Sequence, residues 1–198
     1  MDARDLALQS VMPTVMVPSY SNFQELDEPG SRLLMAGNGI WLEVRRAWMH
    51  MRARVSQLPI PVPYGLVTPE LRFPFGKPPR SPVSQFIEEA RTRLPNECAA
   101  WVTWHAVTGI WKLKMLDERS SGTEHVITDL PTLEEGEHLV IDVHSHGKLP
   151  AFFSDEDNRD DRGECKIAGV VGNLDTTNVT AKFRVCANGL FIPYTFPH

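Results

Sequence analysis

The chain has 198 residues, 42% hydrophobic and 23% charged, with a formal net charge of −5. That length holds one large or two small domains, and the composition is that of an ordinary globular protein. The acidic balance gives no general drive toward nucleic acid or anionic membrane, and no apolar run approaches the length of a membrane span.

The opening Met1-Asp2-Ala3-Arg4-Asp5 lacks a signal-peptide pattern. Cys98, Cys165 and Cys186 are odd in number and form no CxxC pair. Both features fit a reducing compartment, so the expected location is cytoplasmic.

Residues 1–20, broken by Pro13 and Pro18, read as turn-rich, with at most a short strand over Thr14–Val17. Gly37-Asn38-Gly39 separates the runs Arg32–Ala36 and Ile40–Val44, a hairpin signal. Ala47–Val55 alternates, with Met49, Met51, Ala53 and Val55 on one face and Trp48, His50, Arg52 and Arg54 on the other. That predicts a half-buried antiparallel strand, its basic face extended by Arg45 and Arg46 and solvated rather than bound to nucleic acid. Residues 59–82 hold half of the 16 prolines. Each fixes φ and lacks a donor, so the stretch reads as an extended connector. We place a boundary there, dividing a mainly-β module, 1–78, from a second domain, 79–198.

Ser81, as N-cap, and Pro82, at the first helical position, open a helix. Val83, Phe86, Ile87, Ala90 and Leu94 form its apolar stripe, and Pro95 stops it. Strands follow over Ala99–Ala106 and Trp111–Met115, the latter with Lys112 and Lys114 outward, whereas Asp117–Gly136 reads mostly as loop. Leu139–Val143 and Ile167–Val171 are apolar strands. Ala181–Val185 and Leu190–Ile192 flank Asn188-Gly189, a second hairpin signal. The fold class is therefore α+β.

The chemistry concentrates after the strand 139–143. Alternate residues of a strand share a face, so His144 and His146 project the same way. Two neutral imidazoles and a carboxylate returned by a short loop make three ligands for a tetrahedral zinc. The fourth position is then free for water, as in a catalytic site.

The spacing His144-Ser145-His146, seven residues, Ser154, two residues, Asp157 resembles the JAMM motif of the MPN/JAB metallopeptidases. Asp142-x-His144-x-His146 also resembles the opening of PHP phosphoesterases and amidohydrolases. Those sites are assembled across a barrel of roughly 200 residues or more, and only 52 residues follow His146.

The JAB resemblance covers about residues 80–198. It implies a curved mixed β-sheet flanked by helices, here preceded by the small mainly-β module. It implies one Zn2+ per chain, held by His144, His146 and Asp157. Pro95-Asn96-Glu97 is similar to the Pro-x-Glu segment of prokaryotic members, which makes Glu97 the implied activator of the metal water. Ser154 is the implied oxyanion donor, and at the head of the acidic turn Ser154-Asp155-Glu156-Asp157 it also reads as a helix N-cap. The chain departs from the family in carrying Ala99, Ala100 and Trp104 where a glycine-rich strand is usual. It also has Gly147 and Phe153 where prolines often bound the metal loop. Asp142 shares the histidine face and is a candidate to orient an imidazole. Asp155, Glu156, Asp160 and Asp161 are expected to form a solvated acidic surface, and Phe152 and Phe153 to line the substrate path or pack in the core.

The activity implied is hydrolysis of the amide bond after the C-terminal tail of a ubiquitin-like (β-grasp) protein, in association with a ThiF/E1-like enzyme. The alternative is a catalytically inactive MPN scaffold that binds a partner protein. The proline-rich link, the N-terminal module and Arg184-Val185-Cys186-Ala187-Asn188-Gly189 resemble the protein A family of the PRTRC gene cassettes.

Overall fold

The computed structural model describes residues 2–121 and 124–196. The chain is α+β and divides into two compact units, Met1–Gly76 and Lys77–His198.

The first unit opens with a helix that the sequence reading missed, α1 (Ala3–Val11). Asp2 caps it by accepting from the Arg4 amide, yet it buries no residue. A local cap and good helix formers suffice to shape it, so no apolar stripe announces it. Five strands follow: β1 (Thr14–Met16), β2 (Gly30–Ala36), β3 (Gly39–Arg46), β4 (Met49–Ser56) and β5 (Glu70–Arg72). They form one sheet in that order, parallel between β1 and β2 and antiparallel elsewhere. Val17, Leu34, Ala36, Trp41 and Val67 make a buried core, with Val15 and Phe23 packed against it.

The basic face of β4 departs from expectation. His50 is fully buried and the Arg52 side chain is 13% exposed. Carboxylates from elsewhere meet them. Arg52 pairs with Glu70 at 2.6 Å and Glu25 at 3.0 Å, and Arg32 pairs with buried Glu43 at 2.6 Å. The Arg72 guanidinium can only donate, so the His50 Nδ1 that it meets at 2.9 Å accepts. His50 Nε2 is then the donor to Glu43 at 2.9 Å. At His50 and Arg52 the basic face is neutralised inside the fold rather than by solvent, whereas Arg54 stays exposed as expected.

The second unit opens with α2 (Ser81–Thr92), which buries Pro82, Val83, Phe86 and Ala90. The N-cap is Arg80 rather than Ser81, and it makes no side-chain capping bond. Pro82 alone preorganises the first turn. The strands are β6 (Ala99–His105), β7 (Trp111–Met115), β8 (Asp117–Ser121), β9 (Glu124–Asp129), β10 (Glu137–Ser145), β11 (Cys165–Gly172), β12 (Thr180–Ala187) and β13 (Leu190–Tyr194). β8 and β9 pair as a separate two-stranded sheet where a loop was expected. The other six form one mixed sheet, in the order β13-β12-β11-β10-β6-β7, parallel only between β10 and β11. The β12–β13 turn has Asn188 at φ 46° and Gly189 at φ 89°, the two left-handed residues of a tight hairpin.

Glu137 fastens three strands of this sheet. Its buried carboxylate accepts from Thr103 on β6 at 2.6 Å and from Lys114 on β7 at 2.6 Å. Lys114, read from sequence as outward, therefore serves the interior. Burial pushes the Glu137 carboxyl up, but Lys114, Thr103 and the Glu134 amide outweigh it and hold it at about 2.

Candidate metal centre

β10 ends at Ser145, between the two histidines. Val143 and Ser145 are buried on one face of the strand and His144 lies on the other. The Ser145 amide donates to the Cys98 carbonyl at 2.8 Å, and the Cys98 amide donates back to Ser145 Oγ at 2.9 Å. This double tie fixes the end of β10 against the start of β6, where His144 pairs with Ala99. Glu97, half-buried, precedes that pair by two residues, and its charge is felt at His144.

The imidazole planes are tilted 46° apart with centroids at 5.1 Å, and their Nε2 atoms stand 3.2 Å from each other. Asp157 Oδ1 lies 3.4 Å from His144 Nε2, and all three ligand atoms lie within 4.8 Å of one another. A tetrahedral zinc with bonds of about 2.0–2.2 Å sets its ligand atoms roughly 3.3–3.6 Å apart. The 3.4 Å separation falls within that range and the 3.2 Å one just short of it, so two nitrogens and a carboxylate oxygen fit the ion in number and chemistry and closely in distance.

Asp157 comes from α3 (Asp155–Asp160), which Ser154 caps. Asp157 Oδ2 accepts from the Ser154 amide at 2.7 Å and hydroxyl at 2.8 Å, while Ser154 Oγ accepts from the Asp157 amide at 3.1 Å. The capping box thus occupies one carboxylate oxygen and leaves Oδ1 facing the histidines. Burial, the largest influence, and the neighbouring His146 push the His144 pKa down; Asp157, Asp142 and Glu97 oppose them, and the net shift is downward. The imidazole therefore stays neutral near pH 7, as a metal ligand must.

The loop between the motif halves is held by backbone bonds. The His146 amide donates to Val171 O at 2.8 Å, the Asn173 amide to Leu149 O at 2.8 Å and the Leu174 amide to Gly147 O at 2.9 Å. Gly172 permits this contact, because a Cβ there would lie 2.1 Å from Leu149 O. His146 Nδ1 is buried with no hydrogen-bond partner. Its ring rests edge-on against Phe152, with centroids 4.5 Å apart.

Two expectations are corrected here. Asp142 meets Lys166 Nζ at 2.7 Å instead of an imidazole. Asp161 is 5% exposed and pairs with Lys166 at 3.0 Å and Arg184 at 2.7 Å, so it is an interior carboxylate and not surface charge. Sequence reasoning missed Lys166 and Arg184. Their signal was a cation on an otherwise apolar strand, Lys166 beside Ile167–Val171 and Arg184 between Phe183 and Val185. Phe153 lies under the Arg184 guanidinium, 3.8 Å away. It also lines a cavity of about 670 Å³ bounded by Val83, Ile87, Phe183, Tyr194 and Phe196.

Glu25, His50 and Glu70 also bring three ligand-type atoms together. Arg52 and Arg72 bond these same carboxylates, and Arg72 occupies His50 Nδ1. That cluster is a set of ion pairs with no ligand atom left over.

The fold and site thus define a mixed-sheet protein with a two-histidine, one-carboxylate centre. The chain belongs to the prokaryotic homologs of the JAB domain, whose family model matches residues 79–186. Residues 2–74 match a domain of unknown function, DUF2016. Protein DSY2949 of Desulfitobacterium hafniense, known from a solution structure, is similar at 15% identity and a TM-score of 0.43 over 58% of this chain and 86% of that one. A search of the curated proteins finds no match. The JAB family includes hydrolases and inactive members. Among the described residues, no helix is long and apolar enough to cross a membrane.

Proposed function

We propose that this chain is a zinc-dependent peptidase or isopeptidase of the JAMM type, hydrolysing the amide bond after the C-terminal tail of a ubiquitin-like protein. The observation that carries the reading is the convergence of His144 Nε2, His146 Nε2 and Asp157 Oδ1 at the spacing of tetrahedral ligands. Bound there, zinc would polarise the scissile carbonyl and lower the pKa of a water toward neutrality.

The chain's own groups supply the rest. Glu97, in the loop beside the paired ends of β6 and β10, would accept the proton of the attacking water and return it to the leaving amine. Ser154 would donate to the carbonyl oxygen as it gains charge. Its single hydroxyl hydrogen now goes to Asp157 Oδ2, so that step requires the hydroxyl to turn toward the substrate. A β-grasp partner with an extended tail suits a site that sits at a strand end behind a short, tied loop. Assignment to the protein A family of the PRTRC cassettes and work beside a ThiF/E1-like enzyme belong to the same reading.

The test is metal content followed by turnover. Purified protein should carry one zinc, lost in His144→Ala. A β-grasp protein extended at its C-terminus should be cleaved, the same tail as a free peptide and casein should not, and a zinc chelator should abolish cleavage. Stoichiometric zinc without hydrolysis of any β-grasp substrate would favour a partner-binding scaffold instead.

A further inference from the structure

We propose that Arg184 is a positioning residue for the metal centre, gripping the Asp157 segment on both sides and fixing where its carboxylate points. The inference rests on reading His144, His146 and Asp157 as zinc ligands. α3 has six residues and buries none of them, and a helix so short does not persist by itself. Its capping box joins Ser154 to Asp157 within the segment. That shapes the turn without attaching it to the sheet.

The attachment comes from β12. Arg184, 6% exposed, donates Nη1 to Asn158 Oδ1, one residue past Asp157, and Nη2 to Asp161 Oδ2 at 2.7 Å. Its guanidinium carbon lies 3.8 Å from the Phe153 ring centroid and 4.0 Å from that of Phe191 on β13. Phe153 immediately precedes Ser154. One side chain therefore holds the segment before Asp157 through a ring and after it through two polar bonds. Asp161 passes the tie on to Lys166, and Lys166 to Asp142 on the strand that carries His144. The carboxylate-bearing helix and the histidine-bearing strand share one chain of charges. A lysine lacks both the planar fork for two acceptors and the flat face for two rings.

The experiment measures zinc affinity of the full chain by competition with a chromophoric chelator, and amide hydrogen exchange over 155–160. It compares wild type with Arg184→Lys, Arg184→Met and Asn158→Ala. Partners that orient a ligand typically contribute about 10–100-fold to metal affinity. A loss of that size is expected in both Arg184 variants, and a smaller loss in Asn158→Ala. Exchange over 155–160 should accelerate in each, and cobalt-substituted protein should show an altered visible spectrum. Glu137→Gln, at the opposite end of β10, is the stability control and should keep its zinc affinity. Arg184→Lys and Asn158→Ala keep the question open to test if Arg184→Met fails to fold. Wild-type affinity and exchange in those two variants would overturn this proposal alone. A wild-type chain that binds no zinc would overturn the metal reading and this proposal with it.

Discussion

His144 Nε2 and Asp157 Oδ1 stand 3.4 Å apart, although one lies next to the last residue of a strand and the other in the first turn of a helix. Their approach is made by a loop bonded to the β11–β12 connection at Gly147 and Leu149. Asp157→Asn keeps the size of the side chain but removes the charge that attracts the ion. We expect stoichiometric zinc to be lost while the circular dichroism spectrum is retained. Full zinc content in purified Asp157→Asn would remove Asp157 from the ligand set.

Ser154→Ala separates two roles. Loss of an N-cap hydroxyl costs about 1 kcal/mol, and Asp157 Oδ2 loses its hydroxyl donor. We expect a small fall in melting temperature and weaker zinc binding, with a further fall in kcat at saturating zinc if the hydroxyl also serves the oxyanion. A kcat restored fully by excess zinc would confine Ser154 to capping.

Glu97→Gln should retain one zinc, since Glu97 is outside the ligand cluster. Its rate should fall about 10²-fold or more, the size of a general-base contribution. Turnover at the wild-type rate would move the proton-transfer role to another group.

Gly172→Ala tests the loop. The added Cβ would meet Leu149 O at 2.1 Å and the Ala151 amide nitrogen at 2.7 Å, both backbone atoms that cannot swing aside. The loop must shift, so zinc affinity should drop even where the sheet survives. Unchanged stability and affinity would mean that the loop yields without moving the ligands.

The Glu137 carboxyl is held at about 2 against an ordinary 4.5. A depressed carboxylate stabilises the fold above its unfolded pKa, and that contribution is lost as pH falls from about 4.5 toward 2. The difference corresponds to about 3 kcal/mol as an order of magnitude. Glu137→Gln should therefore lower the melting temperature at pH 7 and flatten its decline between pH 4.5 and 2.5. A variant whose pH profile parallels the wild type would show that the Thr103 and Lys114 bonds contribute little.

Local rules carried much of this protein in its sequence. Strand alternation alone put His144 and His146 on one face, since that period needs no knowledge of the partner strand. The spacing to Ser154 and Asp157 set the capping box, and Asn188-Gly189 fixed the β12–β13 turn, because each depends on residues within a few positions. What the sequence left undecided are the charges, whose burial depends on partners brought from far along the chain. His50 and Arg52 read as a solvated face until Glu25, Glu43 and Glu70 close over them. Asp161 read as surface until Lys166 and Arg184 reach it from the sheet. An isolated charge cannot be buried, but a matched set can, and only the tertiary structure decides which charges are matched.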